Sequence, residues 1–316
     1  MKMNKKGFIF TFISVILISV IVLAFLIQYS SRTKINIERT NTEVETMNSF
    51  IKSLNNDYMP RAMEISGNQA VLALLNCMDS EVECNYIEGY LDNEGTPETK
   101  IRDVLYSGSY NIGENPMELM EINNFNYNIT NTLNEIITLA NYTGIDLTID
   151  NFDENSITIS QTDPWNIDVS MEISYSIKNK NNDVSWVFPQ KTLTGKIPIH
   201  NFRDPIYLVE SGLDVALTKT TYNLPSEVNE HAEFTNFLAC SESPSFFQRM
   251  TGLSGFDPEN PSGFGIESLL EEIQSPLFSA IDYQYLMEQN PDSREIIPGS
   301  DYYIDSTHCT CYNFEC

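Results

Sequence analysis

The last nine residues of the chain hold its densest group of reactive side chains: His308, Cys309, Cys311 and Cys316. Three thiolates and one imidazole could bind a zinc ion. However, the spacing Cys-x-Cys-x4-Cys differs from the Cys-x2-Cys pairs of common zinc ribbons, and a Cys-x-Cys pair is strained as two ligands of one tetrahedral ion. The pattern therefore favours disulfides, with zinc binding and free, redox-active thiols as the alternatives.

Three further cysteines complete an even set of six. Cys77 and Cys84 are separated by a short polar stretch, which predicts a local disulfide, with two unpaired thiols as the alternative. Cys240 is the natural long-range partner for one of the three late cysteines. Such a bridge would close a loop of roughly 70 residues and contribute about 4 kcal/mol in the loop-entropy model. An even number of cysteines in a chain with an export-like leader indicates oxidation outside the reducing cytoplasm.

Few other side chains point to a reaction. The sequence contains no Gly-x-Ser-x-Gly, no His-Glu-x-x-His, no phosphate-binding glycine loop and no dinucleotide fingerprint. His200 lies beside Pro198 at the end of a predicted strand, where a surface position is expected. We therefore predict a protein that is not an enzyme and that needs no metal or cofactor.

The charge is distributed unevenly along the chain. All 44 Asp and Glu residues lie after Arg32, and the net charge is −26. This negative field repels nucleic acid and anionic lipid, so nucleic-acid binding is excluded. The sequons at Asn128 and Asn141, each followed two residues later by Thr, are glycosylation candidates and fit an exterior location.

The clearest predicted element is a long β-strand, in which apolar residues from Trp165 to Ile177 alternate with polar ones. Residues 178–183 predict a hairpin loop, and a return strand follows, placed at an edge or broken by Pro189 and Pro198. Two shorter strands are predicted at residues 145–149 and 157–159. The head is therefore an antiparallel meander.

Helical and irregular segments surround this meander. Apolar spacing predicts a helix from Met117 that closes at Gly144, and residues 85–117 before it read as a polar connection. Together, residues 85–202 form an α+β head. Residues 203–316 predict an irregular, Cys-containing extension or a small subdomain, with a short amphipathic helix at 266–273.

Residues 29–84 predict a helical stalk. No Pro or Gly occurs from Phe8 to Met59, and Pro60 is expected to kink or break the helix. Apolar residues recur at heptad spacing and form a short helix seam, which consists of Ile37, Val44, Met47, Ile51, Leu54 and Tyr58. This seam packs either on the head of the same chain or on a partner chain.

The stalk is preceded by an apolar segment at residues 8–28 that is long enough to cross a bilayer as a helix. A basic leader, residues 1–7, precedes it with three lysines. The positive-inside rule therefore predicts a single-pass protein of the cell membrane, with its N-terminus in the cytoplasm and its bulk outside.

The order Lys5-Lys6-Gly7-Phe8, followed by an uninterrupted apolar helix, resembles the class III signal peptide of type IV pilins and related archaeal surface proteins. The resemblance covers about 25 residues. It implies that a prepilin-type peptidase cuts between Gly7 and Phe8 and leaves the helix on the mature protein. Bacterial pilins usually carry Glu at the fifth mature position. This chain has Phe12 at that position, and archaeal relatives often lack the Glu as well.

Three functions are compatible with these features. The resemblance implies a non-enzymatic, pilin-like surface protein that could assemble with copies of itself or with other pilin-like subunits through its N-terminal helix. A membrane-tethered binding or sensor domain that forms no filaments is the first alternative. An extracytoplasmic enzyme with an unfamiliar site is the second.

Overall fold

The computed structural model describes residues 23, 28, 41–79, 95–113, 115–123, 125–181, 184–212, 214–220, 236–252, 262–268, 294–295, 303–304 and 311. Within these residues the protein is α+β, with helices packed on an antiparallel sheet. The predicted cleavage site at Gly7 and Phe8 and nearly all of the predicted membrane span lie outside the described residues. Among those that are described, no helix is both long and apolar enough to span a membrane.

Helix α1 comprises residues 41–53, a π-helical turn at Leu54–Tyr58 and an α-helical segment at Met59–Asp79. The helix therefore passes through Pro60 rather than ending there. Its second half buries an apolar face that begins at Met59 and Met63 and ends at Cys77 and Met78.

The sheet is built around β5, Asn166–Asn179, which is the predicted long strand. Strand β6, Ser185–Pro198, pairs with it along one edge. Strands β3, Ile145–Asp150, and β4, Ile157–Asp163, both pair antiparallel with β5, with its C-terminal and N-terminal halves respectively. Since a strand has only two edges, β3 and β4 share the edge opposite β6 and run as one interrupted strand.

The predicted meander is confirmed, including the edge position of β6. The strand is not broken at its prolines; instead, a register shift next to Pro189 and Gln190, where Gln190 has a φ of 52°, absorbs the irregularity. The apolar residues of β5 face the helices and are buried, while its polar residues face outward.

Helix α2, Pro97–Ser107, is an element that the sequence prediction missed, because residues 85–117 were expected to be a polar connection. Its signals are nonetheless present. Thr96 caps the N-terminus, Pro97 occupies the first turn, and Gly108 follows the last turn with a φ of 83°. The helix buries Ile101, Val104 and Leu105 completely.

Helix α3, Ile129–Tyr142, is shorter than predicted. The residues expected to begin it form instead a 3-10 turn at Glu118–Met120 and a small hairpin of β1, Glu121–Ile122, and β2, Phe125–Asn126. Asn128 caps α3, and this cap sets its start. Helices α1, α2 and α3 contact β6, β4 and β3 respectively, so together they cover one face of the sheet.

The described residues after 203 form short elements. They include a π turn at Tyr207–Ser211, α4 at Phe246–Met250, and a pair of strands, β7 at Phe237–Ala239 and β8 at Ile266–Ser268. The prediction of a helix at residues 266–273 is therefore wrong for residues 266–268, which form β8. A two-residue pair, β9 at Arg294–Glu295 and β10 at Tyr303–Ile304, lies further along the chain. Most of the described buried apolar residues after 203 belong to the same core as the head.

Candidate functional site

The helix seam packs on the head of its own chain. Met47 and Leu54 are buried in the common core, and Ile51 packs against it. Val44 is half-buried, and Ile37 lies outside the described residues. Of the two alternatives for the seam, its described part therefore supports the intramolecular one.

Tyr58 does not continue the seam, because the π turn changes the helix phase. A spacing of five residues in a regular α-helix rotates a side chain by about 140°, since each residue turns by about 100°. In the π turn the Met59 N–H donates to the Leu54 carbonyl, which brings these two residues onto one face. Met59 is fully buried as a result, and Tyr58 is 50% exposed.

Two glycines allow the second half of α1 to lie close to β6. A Cβ on Gly67 would collide with the Ile197 side chain. A Cβ on Gly195 would lie 3.1 Å from the Met63 Cβ and 3.3 Å from the Pro60 carbonyl oxygen, which is tighter than most real contacts. The crossing of helix and strand therefore depends on the absence of both side chains.

Two polar contacts fix the first half of α1 to β5. The Tyr175 hydroxyl donates to the Asn55 Oδ1 over 2.7 Å, and the Asn179 amide donates to Glu43 over 2.9 Å. Burial is the main cause that raises the pKa of the Tyr175 phenol above its usual 10.0. Because both contacts are directional, they set the rotation of the helix as well as its distance from the sheet.

An open groove of about 600 Å³ lies where the π turn meets the end of β6. We call it the helix–strand groove. Its lining combines an exposed aromatic ring, two acids, two bases and the bare backbone of a glycine; these residues are Asn56, Asp57, Tyr58, Pro60, Arg61, Glu64, Gly195 and Lys196. Arg61 is paired with Glu64 over 3.2 Å. The rim of the groove therefore presents charges of both signs to the solvent.

Lys196 links this groove to the outer face of the sheet. Its ammonium lies 3.2 Å from Asp163 and 3.4 Å from Asp168, and these carboxylates raise its pKa. Burial alone would raise the pKa of Asp163, but the bonds it accepts from the Trp165 N–H, the Asn166 amide and Lys196 outweigh burial, and the pKa lies below 3.8. The pair of Lys196 and Asp163 therefore remains ionised at neutral pH.

A second groove, of about 350 Å³, separates β4 from the extension. Its lining is mixed and consists of Glu98, Ile159, Ser160, Gln161, Ser245, Phe247, Gln248, Ser262 and Phe264. The Gln161 Oε1 is a buried acceptor that makes no hydrogen bond with the residues that the structure describes.

A buried ion pair joins two segments of the extension, one next to the π turn at Tyr207–Ser211 and the other in α4. The Arg249 Nε lies 2.6 Å from the Asp204 Oδ2, and both side chains are fully buried. Asp204 also accepts the Tyr207 N–H, and Arg249 donates to the Ile266 carbonyl. Sequence reasoning missed this pair, because no local pattern distinguishes one Asp or Arg from the others in the chain.

A disulfide provides a second cross-link within the extension. Cys240 forms a disulfide with Cys311, at a sequence separation of 71, so the predicted long-range bridge from Cys240 is confirmed. Cys77 is also disulfide-bonded, to a cysteine outside the described residues, so its pairing with Cys84 stays a prediction. Cys309 and Cys316 lie outside the described residues as well.

Other predicted residues occupy unremarkable positions. His200 is exposed at the end of β6, as expected. Asn128 is buried and Asn141 is exposed. In the described part of the chain, no group of three or more His, Cys, Asp or Glu residues is placed to hold a metal ion.

Comparisons of the chain with protein-family models, with curated proteins and with solved structures gave no match in any of the three.

Proposed function

We propose that the chain is a non-enzymatic, membrane-anchored cell-surface protein of the pilin-like type, held by an apolar helix at residues 8–28. One observation carries the proposal. The helix that enters the head from the N-terminal side is not a free stalk; it buries Met47 and Leu54 in the head core and runs on to Asp79 against the sheet. A joint of this kind would hold the head in a fixed orientation relative to an N-terminal anchor.

The N-terminus of the mature protein tests this proposal. Cleavage by a prepilin-type peptidase predicts that the membrane-bound protein begins at Phe8. Mass spectrometry of the N-terminal peptide measures this directly. Gly7→Val should block cleavage, whereas Lys2→Gln, in the same leader but away from the cut, should not. A membrane-bound protein that keeps Met1 would contradict the pilin-like assignment.

Electron microscopy of the cell surface addresses assembly through the helix. Filaments that are lost on deletion of this chain, and that label with an antibody to the head, would support a filament subunit.

The alternative is a tethered binding domain that forms no filaments. The helix–strand groove favours it, because an open groove of about 600 Å³ with both charges on its rim can hold a polar segment of another molecule. A surface-exposed head without filaments, and with an uncut leader, would select this function instead.

A further inference from the structure

The two sequons lie at opposite ends of α3, and the fold treats them differently. Asn128 caps the N-terminus and is only 6% exposed. Its Oδ1 accepts the Asn131 N–H over 2.7 Å, and its Nδ2 donates to the Ser107 carbonyl over 2.8 Å. A sugar on this nitrogen would displace the bond to Ser107 and enter the space between α2 and α3. Asn128 is therefore a structural cap in the folded protein.

Asn141 lies in the last turn of the same helix and is exposed. Its side chain makes no hydrogen bond within the part of the chain that the structure describes. The hydroxyl of Thr143, the third residue of the sequon, donates to the Ala140 carbonyl over 2.7 Å and is also at the surface. Gly144 follows with a φ of 84° and ends the helix. A last turn of this kind opens more readily than the helix interior.

The surroundings of Asn141 contain unusual apolar exposure. Leu139 is 60% exposed and Tyr142 is 84% exposed; they are three residues apart and therefore share one side of the last turn, and Tyr142 directly follows the acceptor. Single exposed apolar residues are common, but Tyr142, next in sequence to the acceptor amide, offers an aromatic surface that a sugar can cover. The apolar faces of sugar rings pack well on an aromatic side chain.

We infer that Asn141 carries an N-linked glycan and that Asn128 does not. The inference rests on the proposed extracytoplasmic location, where a lipid-linked oligosaccharide is the donor. In the reaction, the Asn141 Nδ2 bonds to the anomeric carbon of the first sugar, while the bond between that carbon and the phosphate oxygen of the polyprenyl carrier breaks. The carrier leaves with the bonding electron pair on its phosphate, and the proton lost by Nδ2 passes to that phosphate or to water.

The test is glycopeptide mass spectrometry of the full chain, purified from membranes of the cells that make it. The expected result is a sugar mass on the peptide that contains Asn141 and an unmodified peptide that contains Asn128. Two matched variants define the sequon: Thr143→Ser keeps the modification, and Thr143→Val abolishes it, as does Asn141→Gln.

Protease added to intact cells separates the two ways in which this could fail. If the head is digested from outside and the Asn141 peptide is unmodified, the glycan is refuted while the proposed location stands. If the head is protected from the protease, the proposed location itself fails. A sugar on Asn128 would also overturn the inference, since it requires the cap to be vacated.

Discussion

The π turn in α1 predicts that two mutations, deletion of Asn56 and Pro60→Ala, change the stability of the protein non-additively. A regular α-helix would show no such coupling. Deleting Asn56, an exposed residue inside the turn, makes Met59 the fourth residue after Leu54. The buried faces of both halves of the helix then stay aligned in an ordinary α-helix. However, Pro60 would then lie inside that regular helix, where its ring contacts the carbonyl four residues before it.

The size of the effect follows from the cost of that contact. A proline in a helix interior costs about 3 kcal/mol relative to alanine. The deletion alone should therefore destabilise the protein by about that amount. Pro60→Ala alone should change stability little, since the alignment of Leu54 and Met59 still requires the π turn. The two changes together should restore most of the loss, giving a coupling of about 3 kcal/mol.

Equilibrium unfolding of the full chain in detergent measures the cycle. The two tryptophans, Trp165 and Trp186, both pack against the core and report on the head. Deletion of Ser49, an exposed residue in the regular part of the helix, is the matched control. It rotates Met47 out of the core, and Pro60→Ala should not rescue it. The explanation of the π turn is wrong if deletion of Asn56 does not lower the free energy of unfolding of the protein that keeps Pro60. It is also wrong if Pro60→Ala does not restore the stability lost by the deletion.

Three further predictions concern the head. Gly67→Ala should destabilise the protein by about 1–3 kcal/mol in urea unfolding, because a methyl group there overpacks the crossing of α1 with β6. Arg249→Met should cost about 3–5 kcal/mol, because Asp204 is left buried without its partner, and adding Asp204→Asn should recover part of the loss. Lys196→Met should raise the pKa of Asp163 in an NMR titration. Since folding lowers that pKa, the stability it contributes is present at neutral pH and is lost on acidification through 3.8 and below.

The sequence predicted the sheet well because its signals are local. The alternation along β5 and the turn after it determine strand, buried face and hairpin without reference to the rest of the chain. Thr96, Pro97 and Gly108 mark the ends of helix α2. The sequence prediction nevertheless missed it, because the many polar residues of this segment are typical of a connection.

Other features could not be predicted from the sequence because they depend on contacts between residues that are far apart along the chain. Asp204 and Arg249 become a pair only when two segments of the extension, 45 residues apart in sequence, fold together. The π turn is an intermediate case. Its sequence signal is the spacing of five residues between the apolar Leu54 and Met59, just before Pro60. The regular heptad spacing upstream, however, predicts Tyr58 as the next seam residue. Gly195 inside a strand was a second available signal, since such a glycine often marks a close approach of backbone.

The packing of the seam restricts how copies of this chain could assemble. Met47 and Leu54 are already covered by their own head, so they are not available to a partner. Any contact between two subunits along residues 41–53 of α1 must then use the outer face of that segment, where Asn48 and Lys52 are exposed and polar. A polar face of this kind gives weak, wet association rather than a hydrophobic seam. Under the pilin-like proposal, the apolar residues 8–28 would therefore supply most of the association energy, and charge-reversing substitutions at Lys52 should leave filament formation intact, whereas polar substitutions within residues 8–28 should abolish it.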